Sequence, residues 1–359
     1  MHYELSSERT LILRGPASVM LLAGQATVLG APIRQNQRRS VAQHKQSPIE
    51  SKNIAEFDIV LGKNGGMFEI EGSTIPESWR QAVAALKEVR EGTVIILGAT
   101  DMGKSTLCTY LVNKLVHDVQ RLCIIDADIG QADLGPPTTI GKAIPTQPAA
   151  SLPEFNAETR LFIGHTSPTQ VEREILRGIH KLSANEEKSL TIINTDGWVS
   201  EPAAVRYKTH LVADISPCLV LGLAYGDELQ PILTGIRSSS LRVNAAREVL
   251  ERTRGDRRRI RTNNYQQSLE GATTHRVLLR NIDLSIPTHF PSVTVENRYW
   301  LRNLIIGILD ENGYLLQLGI LRDIERNALR IYSRPISPIR RIGVGYVKLS
   351  ISGREIGYV

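Results

Sequence analysis

Eight consecutive residues constrain this chain more than any other feature. Gly98-Ala99-Thr100-Asp101-Met102-Gly103-Lys104-Ser105 fits G-x-x-x-x-G-K-[ST], and its neighbours give the match its weight. The apolar run Val94–Leu97 before it reads as a strand, and Lys104–Asp118 after it places Leu107, Leu111 and Leu115 on one helical face. A strand that enters a helix through a glycine loop turns successive backbone N–H groups toward one point, at the positive end of the helix dipole. Polyphosphate is the natural occupant. The amides run from Gly98 through Thr100, Asp101 and Met102 to Gly103. Lys104 is placed to neutralise β- and γ-oxygens, the Ser105 hydroxyl to ligate Mg²⁺, and Thr106 to add a phosphate contact. The expected cofactors are therefore ATP and Mg²⁺.

Around this loop strands and helices alternate. Leu122–Ile125, Leu190–Ile193 and Cys218–Leu223 read as further strands, and Val171–Leu182 as a helix with Val171, Ile175, Ile179 and Leu182 on one face. Strand, loop, helix, strand implies parallel pairing, so the central part predicts an α/β fold: a P-loop NTPase domain with a doubly wound, mainly parallel sheet. The first 75 or so residues differ, with short apolar stretches at Leu11–Leu13, Ser18–Leu22, Ala26–Leu29, Phe57–Leu61 and Met67–Ile70 broken by Gly, Pro and Asn. They predict a small β domain, within which the polar Arg34–Lys52 reads as a long exposed loop. Pro76, Trp79, Val83, Leu86 and Val89 then recur at helical spacing. After an arginine-dense stretch, Leu241–Arg261, read as helical, strands return at Val277–Ile282, Leu304–Leu309, Tyr314–Leu321, Leu329–Tyr332 and Val344–Ile351. Asn312-Gly313 between two of them is a hairpin turn signal. The expected division is an N-terminal β domain over 1–75, a P-loop domain over 76–270 with an arginine-rich lid at about 241–261, and a C-terminal β domain over 271–359.

Composition narrows the setting. With 43 Lys+Arg against 37 Asp+Glu, the net charge of +6 over 359 residues is too dilute to imply a polyanion by itself. The longest unbroken apolar runs fall far short of the ~20 residues that cross a bilayer. Met1–Thr10 carries Glu4 and Glu8 and lacks a basic segment followed by an apolar one, so no secretory leader is expected. The protein is expected to be cytoplasmic, without a membrane partner. Cys108, Cys123 and Cys218 match neither a disulfide framework nor a zinc spacing, and all three are read as buried thiols.

A second acidic element, Asp126-Ala127-Asp128-Ile129-Gly130-Gln131, stands at the carboxyl end of the strand Leu122–Ile125, where ligands collect in open α/β sheets. Carboxylates at i and i+2 on a strand tip repel unless a cation or a substrate hydroxyl engages one of them. A hydrolase would use such a group to hold Mg²⁺, a kinase to orient and deprotonate an attacking hydroxyl.

Taken with Pro136-Pro137, Phe162-Ile163-Gly164-His165-Thr166-Ser167-Pro168 and Thr195-Asp196-Gly197-Trp198, these elements resemble the polynucleotide 5′-hydroxyl kinase family. That family includes the RNA kinase of messenger-RNA 3′-end cleavage and tRNA splicing and the kinase of ribosomal-RNA spacer processing, and the resemblance is to a prokaryotic-type member. It implies ATP-dependent transfer of the γ-phosphoryl group to the 5′-hydroxyl of RNA, DNA or both. It implies that Asp128 activates that hydroxyl and meets the metal with Ser105, and that Gln131 completes an Asp-x-x-Gln motif. Thr166 or Ser167 would contact the strand's backbone phosphate, and Trp198 would stack on the terminal base. The family's lid pattern Arg-x-x-x-x-Arg matches Arg252 and Arg257, with Arg254 and Arg258 as alternative registers. His165 is not required by the family pattern and reads as a hydrogen-bonded spacer.

Two other classes compete. One is an ATP-binding, non-catalytic assembly subunit of an RNA-processing complex, with protein partners. The other is a nucleotide switch, which would need a guanine-selecting Asn-Lys-x-Asp that is absent from the sequence.

Overall fold

The structure is a computed structural model and describes residues 1–184, 188–287, 290 and 298–359. The chain divides into two compact units, each gathered from several segments. The first comprises Met1–Ile124, Ile144–Asn156 and Ser183–Thr253, the second Ile125–Ala143, Ala157–Leu182 and Arg254–Val359.

In the first unit the strand Gly92–Gly98 lies between Leu190–Thr195 and Leu219–Ala224, parallel to both, and Ser240–Asn244 extends the sheet in parallel beyond Leu219–Ala224. Leu190–Thr195 and Leu219–Ala224 are buried along their whole length. This explains their unbroken apolar character, since a parallel sheet is covered on both faces. The helix Glu77–Val89 buries Trp79, Val83 and Leu86 of the spaced set together with Ala82, while Val89 is only partly covered; Lys104–Leu115 buries Leu107, Leu111 and Leu115 as their spacing predicts. The expected helix through Leu241–Arg261 divides instead. Ser240–Asn244 is a sheet strand, and the helix begins only at Arg254 and runs to Ser268.

The amino-terminal part of the first unit is two small sheets. One orders His2–Leu5, Ala55–Leu61, Ala17–Ala23 and Arg38–Val41; the other Ala31–Pro32, Ala26–Val28, Gln46–Ser51, Arg9–Arg14 and Gly66–Glu71. The expected loop Arg34–Lys52 therefore contains two strands. Arg38–Val41 pairs antiparallel with Ala17–Ala23, and Gln46–Ser51 with Arg9–Arg14. Backbone pairing with an apolar neighbour overrode a polar composition.

In the second unit Thr139–Ala143 and Thr159–Phe162 form an antiparallel pair that the spacing did not reveal. A β sheet orders Thr273–Leu278, Ala328–Ser333, Leu315–Ile324, Leu304–Leu309, Arg341–Leu349 and Asp283–Ser285, with Glu355–Tyr358 on Arg341–Leu349. Asn312-Gly313 does turn one strand back on the other, Leu304–Leu309 against Leu315–Ile324. Tyr265, the one buried residue of the arginine-rich helix, plugs this sheet's core with Leu269, Ile305, Leu318, Ile320, Val347 and Leu349. Cys108 and Cys123 are buried, but Cys218 is exposed. It stands one residue before a strand, so its apolar sequence neighbours do not cover it.

Candidate active site

The phosphate loop belongs to the first unit. Its last glycine, Gly103, caps the helix Lys104–Leu115 with φ 94°, a left-handed conformation that glycine adopts without strain. Lys104 is buried, and its Nζ donates to the Ala99 carbonyl at 2.9 Å. The ammonium thus folds over the loop's own backbone. Ser105, one residue on, has its hydroxyl 3.4 Å from Asn194 Nδ2, which comes from the strand Leu190–Thr195.

Gly197 explains why that strand ends as it does. A Cβ there would lie 2.4 Å from Thr100 Oγ1 and 2.6 Å from the Thr100 nitrogen, so only glycine lets the Asp196-Gly197-Trp198 turn meet the phosphate loop. Beneath the turn, Lys208 and Asp196 form an ion pair with 0% and 6% side-chain exposure at 2.7 Å. Lys208 Nζ also donates to the Asp196 carbonyl at 3.2 Å, and the Tyr207 hydroxyl donates to Asp196 Oδ2 at 3.4 Å. The remaining oxygen, Oδ1, accepts the Trp198 backbone N–H at 3.0 Å. A buried charge needs this many partners. Trp198 itself is half-buried, donates from Nε1 to Glu201 at 3.2 Å, and lies 6.1 Å from the Tyr207 ring.

Arg252 reaches the same loop. Its Nη1 lies 3.4 Å from Asp101 Oδ1, its backbone N–H donates to Asp101 Oδ2 at 3.3 Å, and its Nε donates to the His44 carbonyl at 2.9 Å.

The second unit holds the other group of expected site residues. Asp126 is fully buried and accepts N–H groups from Asp133 at 2.6 Å and Leu134 at 3.1 Å. Burial first, then the charges of Asp133 and Asp128, push its carboxyl up to about 7. Asp128 is half-buried, and its Oδ1 accepts the backbone N–H groups of Gly130 at 3.1 Å and Gln131 at 2.9 Å. The Gln131 side chain turns back to the Gly130 carbonyl at 2.8 Å. Gly130 is another close approach, because a Cβ there would meet the Thr166 carbonyl oxygen at 2.7 Å. The Asp128 loop and the Thr166 loop therefore pack backbone to backbone.

Thr166 Oγ1 lies 3.1 Å from the Tyr358 hydroxyl, and Ser167 Oγ lies 3.2 Å from Thr169 Oγ1. His165 is buried, accepts the Ser167 N–H on Nδ1 at 2.8 Å, and has its imidazole pushed below the ordinary value by burial. Arg257 lies in the helix Arg254–Ser268.

The structure thus brings the phosphate loop, Trp198 and Arg252 together in one unit, and Asp128, Gln131, Thr166 and Ser167 in the other, where Arg257 also belongs. Sequence reasoning missed Lys208, Glu355 and Tyr358. No local pattern marks a lysine twelve residues from its carboxylate.

Among the described residues no three His, Cys, Asp or Glu side chains cluster as a metal cage. Magnesium in nucleotide sites takes one or two protein oxygens and completes its shell with phosphates and water, and Ser105 in the first unit and Asp128 in the second each carry a hard oxygen of that kind. Among the described residues no helix is long and apolar enough to cross a membrane.

Residues 98–271 match the model of the mRNA cleavage and polyadenylation factor CLP1 P-loop. The similarity is to the P-loop region of that family, over just under half of the chain. The matched span opens on Gly98 of the phosphate loop and runs past the arginine-rich helix, so it includes every site residue expected from the sequence. The chain is 26% identical over 337 residues to the polyribonucleotide 5′-hydroxyl-kinase of Pyrococcus furiosus, covering 79% of this chain and 95% of that one. With the corresponding kinase of Methanocaldococcus jannaschii it shares 25% identity over 344 residues, 79% of this chain and 94% of that one. Its fold matches Clp1p in the solved wild-type Clp1p–Pcf11p complex with a TM-score of 0.75 at 11% identity, over 97% of both chains. The architecture is thus that of CLP1 proteins, a P-loop NTPase domain flanked by β-rich regions.

Proposed function

We propose that this chain is an ATP-dependent polyribonucleotide 5′-hydroxyl kinase, a phosphotransferase with an RNA 5′-end as acceptor. The carrying observation is a CLP1-type phosphate loop with its lysine in place, in a chain that also keeps a carboxylate at the tip of the next strand. The names of the archaeal relatives support the same activity.

Each residue then has a task. Lys104 exchanges the Ala99 carbonyl for the β- and γ-oxygens, while the amides from Gly98 to Gly103, with Thr106, hold the remaining phosphate oxygens. Ser105 and Asp128 are the residues that would hold magnesium, which would supply charge neutralisation. Two backbone amides fix one oxygen of Asp128, which sets the plane of its carboxylate, and Asp128 accepts the proton of the attacking 5′-hydroxyl. Gln131 shares that turn. Trp198 stacks on the terminal base, and Thr166 or Ser167 meets the backbone of the strand. Arg252 and Arg257 stabilise the charge on the transferring group.

The setting follows from the same reading. Residues 1–75 and 271–359 serve as β domains around a kinase domain at 76–270, the protein works in the cytoplasm, and its protein partners belong to RNA processing. The Pcf11p bound to Clp1p in a solved relative supports the last point.

Incubation with γ-labelled ATP and a 5′-hydroxyl RNA tests the proposal. Label is expected on the RNA with wild-type protein and is expected to be lost in Asp128→Asn, which should still bind ATP. Wild-type protein that retains ATP yet labels neither RNA nor DNA would instead be a nucleotide-bound assembly subunit.

A further inference from the structure

The last strand of the chain meets the substrate loop through a chain of hydrogen bonds whose direction is fixed. Arg261 donates to the Glu355 carboxylate at 2.6 and 2.9 Å, and Arg258 adds a donation to the Glu355 carbonyl. Glu355 is buried, and a carboxylate paired in this way only accepts. The Tyr358 hydroxyl, 3.1 Å from Glu355 Oε2, therefore donates to it. A phenol has one proton. Its oxygen must accept from the Thr166 hydroxyl, the other partner at 3.1 Å. The proton of Thr166 is thereby directed to Tyr358. Burial holds the Tyr358 phenol above its ordinary value, which keeps it protonated.

Backbone hydrogen bonds frame this chain. Glu355–Tyr358 pairs with Arg341–Leu349, the Val359 N–H donates to the Tyr346 carbonyl at 3.0 Å, and the Tyr346 N–H donates to the Gly164 carbonyl at 2.8 Å. The His165 ring packs 5.2 Å from Tyr346 and 5.8 Å from Tyr358.

We propose that Tyr358, oriented by Glu355, is a positioning residue that holds the Thr166 hydroxyl as a hydrogen-bond acceptor, so that the loop favours a strand bearing ribose 2′-hydroxyls over deoxyribose. This rests on the kinase reading. A strand's phosphate oxygens only accept, so they find no donor in a Thr166 arranged this way, and the phosphate contact falls to Ser167. Along a sugar-phosphate backbone the 2′-hydroxyl is the group able to donate, and it is absent from DNA.

The test compares affinities of matched single-stranded RNA and DNA, both with 5′-hydroxyl ends, in the presence of a non-hydrolysable ATP analogue. Wild-type protein is expected to bind RNA more tightly. Tyr358→Phe should narrow the preference about three- to tenfold, the span of one neutral hydrogen bond, by weakening RNA and sparing DNA. Thr166→Val should do the same, and the double variant no more, because both act through one hydroxyl. Thr166→Val also carries the test if Tyr358→Phe does not fold. An equal loss on both strands, or an unchanged preference, would overturn the inference. Equal phosphorylation and equal binding of RNA and DNA by wild-type protein would sink it alone, leaving the kinase reading intact. A protein that transfers no phosphate but shows the preference and its loss would sink the kinase reading alone; one that binds neither strand sinks both.

Discussion

Arg252 holds Asp101 twice, once through its guanidinium at 3.4 Å and once through its own backbone N–H at 3.3 Å. The two side chains are only 21% and 12% exposed, so the pair is weakly screened, and the spare Nε–H is taken by the His44 carbonyl. A residue of the phosphate loop, the first arginine of the expected lid and a turn of the amino-terminal β region are thus tied at one point.

Lysine has no planar fork with which to serve both partners. Arg252→Lys is therefore expected to lose one charge-assisted bond, about 1.5–3 kcal/mol, and to lower kcat roughly ten- to hundredfold. Steady-state kinetics at saturating ATP check this; a kcat within twofold of wild type would remove Arg252 from the machinery.

The Asp196–Lys208 pair predicts a stability effect. Lys208→Met leaves a buried carboxylate without its cation and is expected to cost about 3–5 kcal/mol in urea unfolding. Asp196→Leu added to it should recover part of the loss, because a buried apolar pair carries no desolvation penalty. A single variant as stable as wild type would contradict the burial of both groups.

Removing the indole of Trp198 acts on the acceptor alone. Stacking on an aromatic contributes about 1–3 kcal/mol per base, so Trp198→Ala should raise the oligonucleotide KM roughly five- to 150-fold, with the ATP KM unchanged and Trp198→Phe largely restored. An equal rise in both KM values would instead point to a displaced phosphate loop.

That displacement is what Gly197→Ala should produce. The added methyl would fall 2.4–2.7 Å from Thr100 backbone and hydroxyl atoms, which have no flexible end to swing aside. Overpacking of this kind costs about 1–3 kcal/mol, and ATP affinity is expected to drop at least severalfold in direct titration.

His165 predicts a pH dependence. Burial depresses its folded-state value below the 6.5 of a free imidazole, so folding favours the neutral ring. The stability it contributes is fully present above pH ~6.5 and is lost as pH falls through the depressed value. His165→Gln should flatten the decline in thermal midpoint as pH falls below about 6.5; parallel curves for the two proteins would show that the ring does not titrate there.

The legible parts of the fold were those that local chemistry dictates. The glycine loop and its flanking Val94–Leu97 and Leu107, Leu111, Leu115 patterns located the phosphate site, because a parallel strand must be apolar and the helix that follows must bury one stripe. Arg38–Val41 was illegible for the opposite reason: no residue in it is buried, and only pairing with Ala17–Ala23 makes it a strand. Ser240–Asn244 was absorbed into the arginine-rich helix although Val243 is fully buried in the parallel sheet.

The same contrast runs through the site. Gly98 to Thr106 and Asp126 to Gln131 are contiguous motifs whose chemistry can be read in order. Lys208 meets Asp196 from the next helix, and Tyr358 meets Thr166 across 192 residues of chain, so nothing near either residue announces the partner.

Lys104 closes a ring on its own loop, ammonium to Ala99 carbonyl. Truncating it to alanine deletes that clasp together with the charge. A Lys104→Ala protein that fails to bind ATP would thus mix two defects, a missing cation and a slack cradle, and it makes an ambiguous blank for an activity assay. Asp128→Asn keeps the clasp shut, so a loss of turnover there is read without a slack cradle.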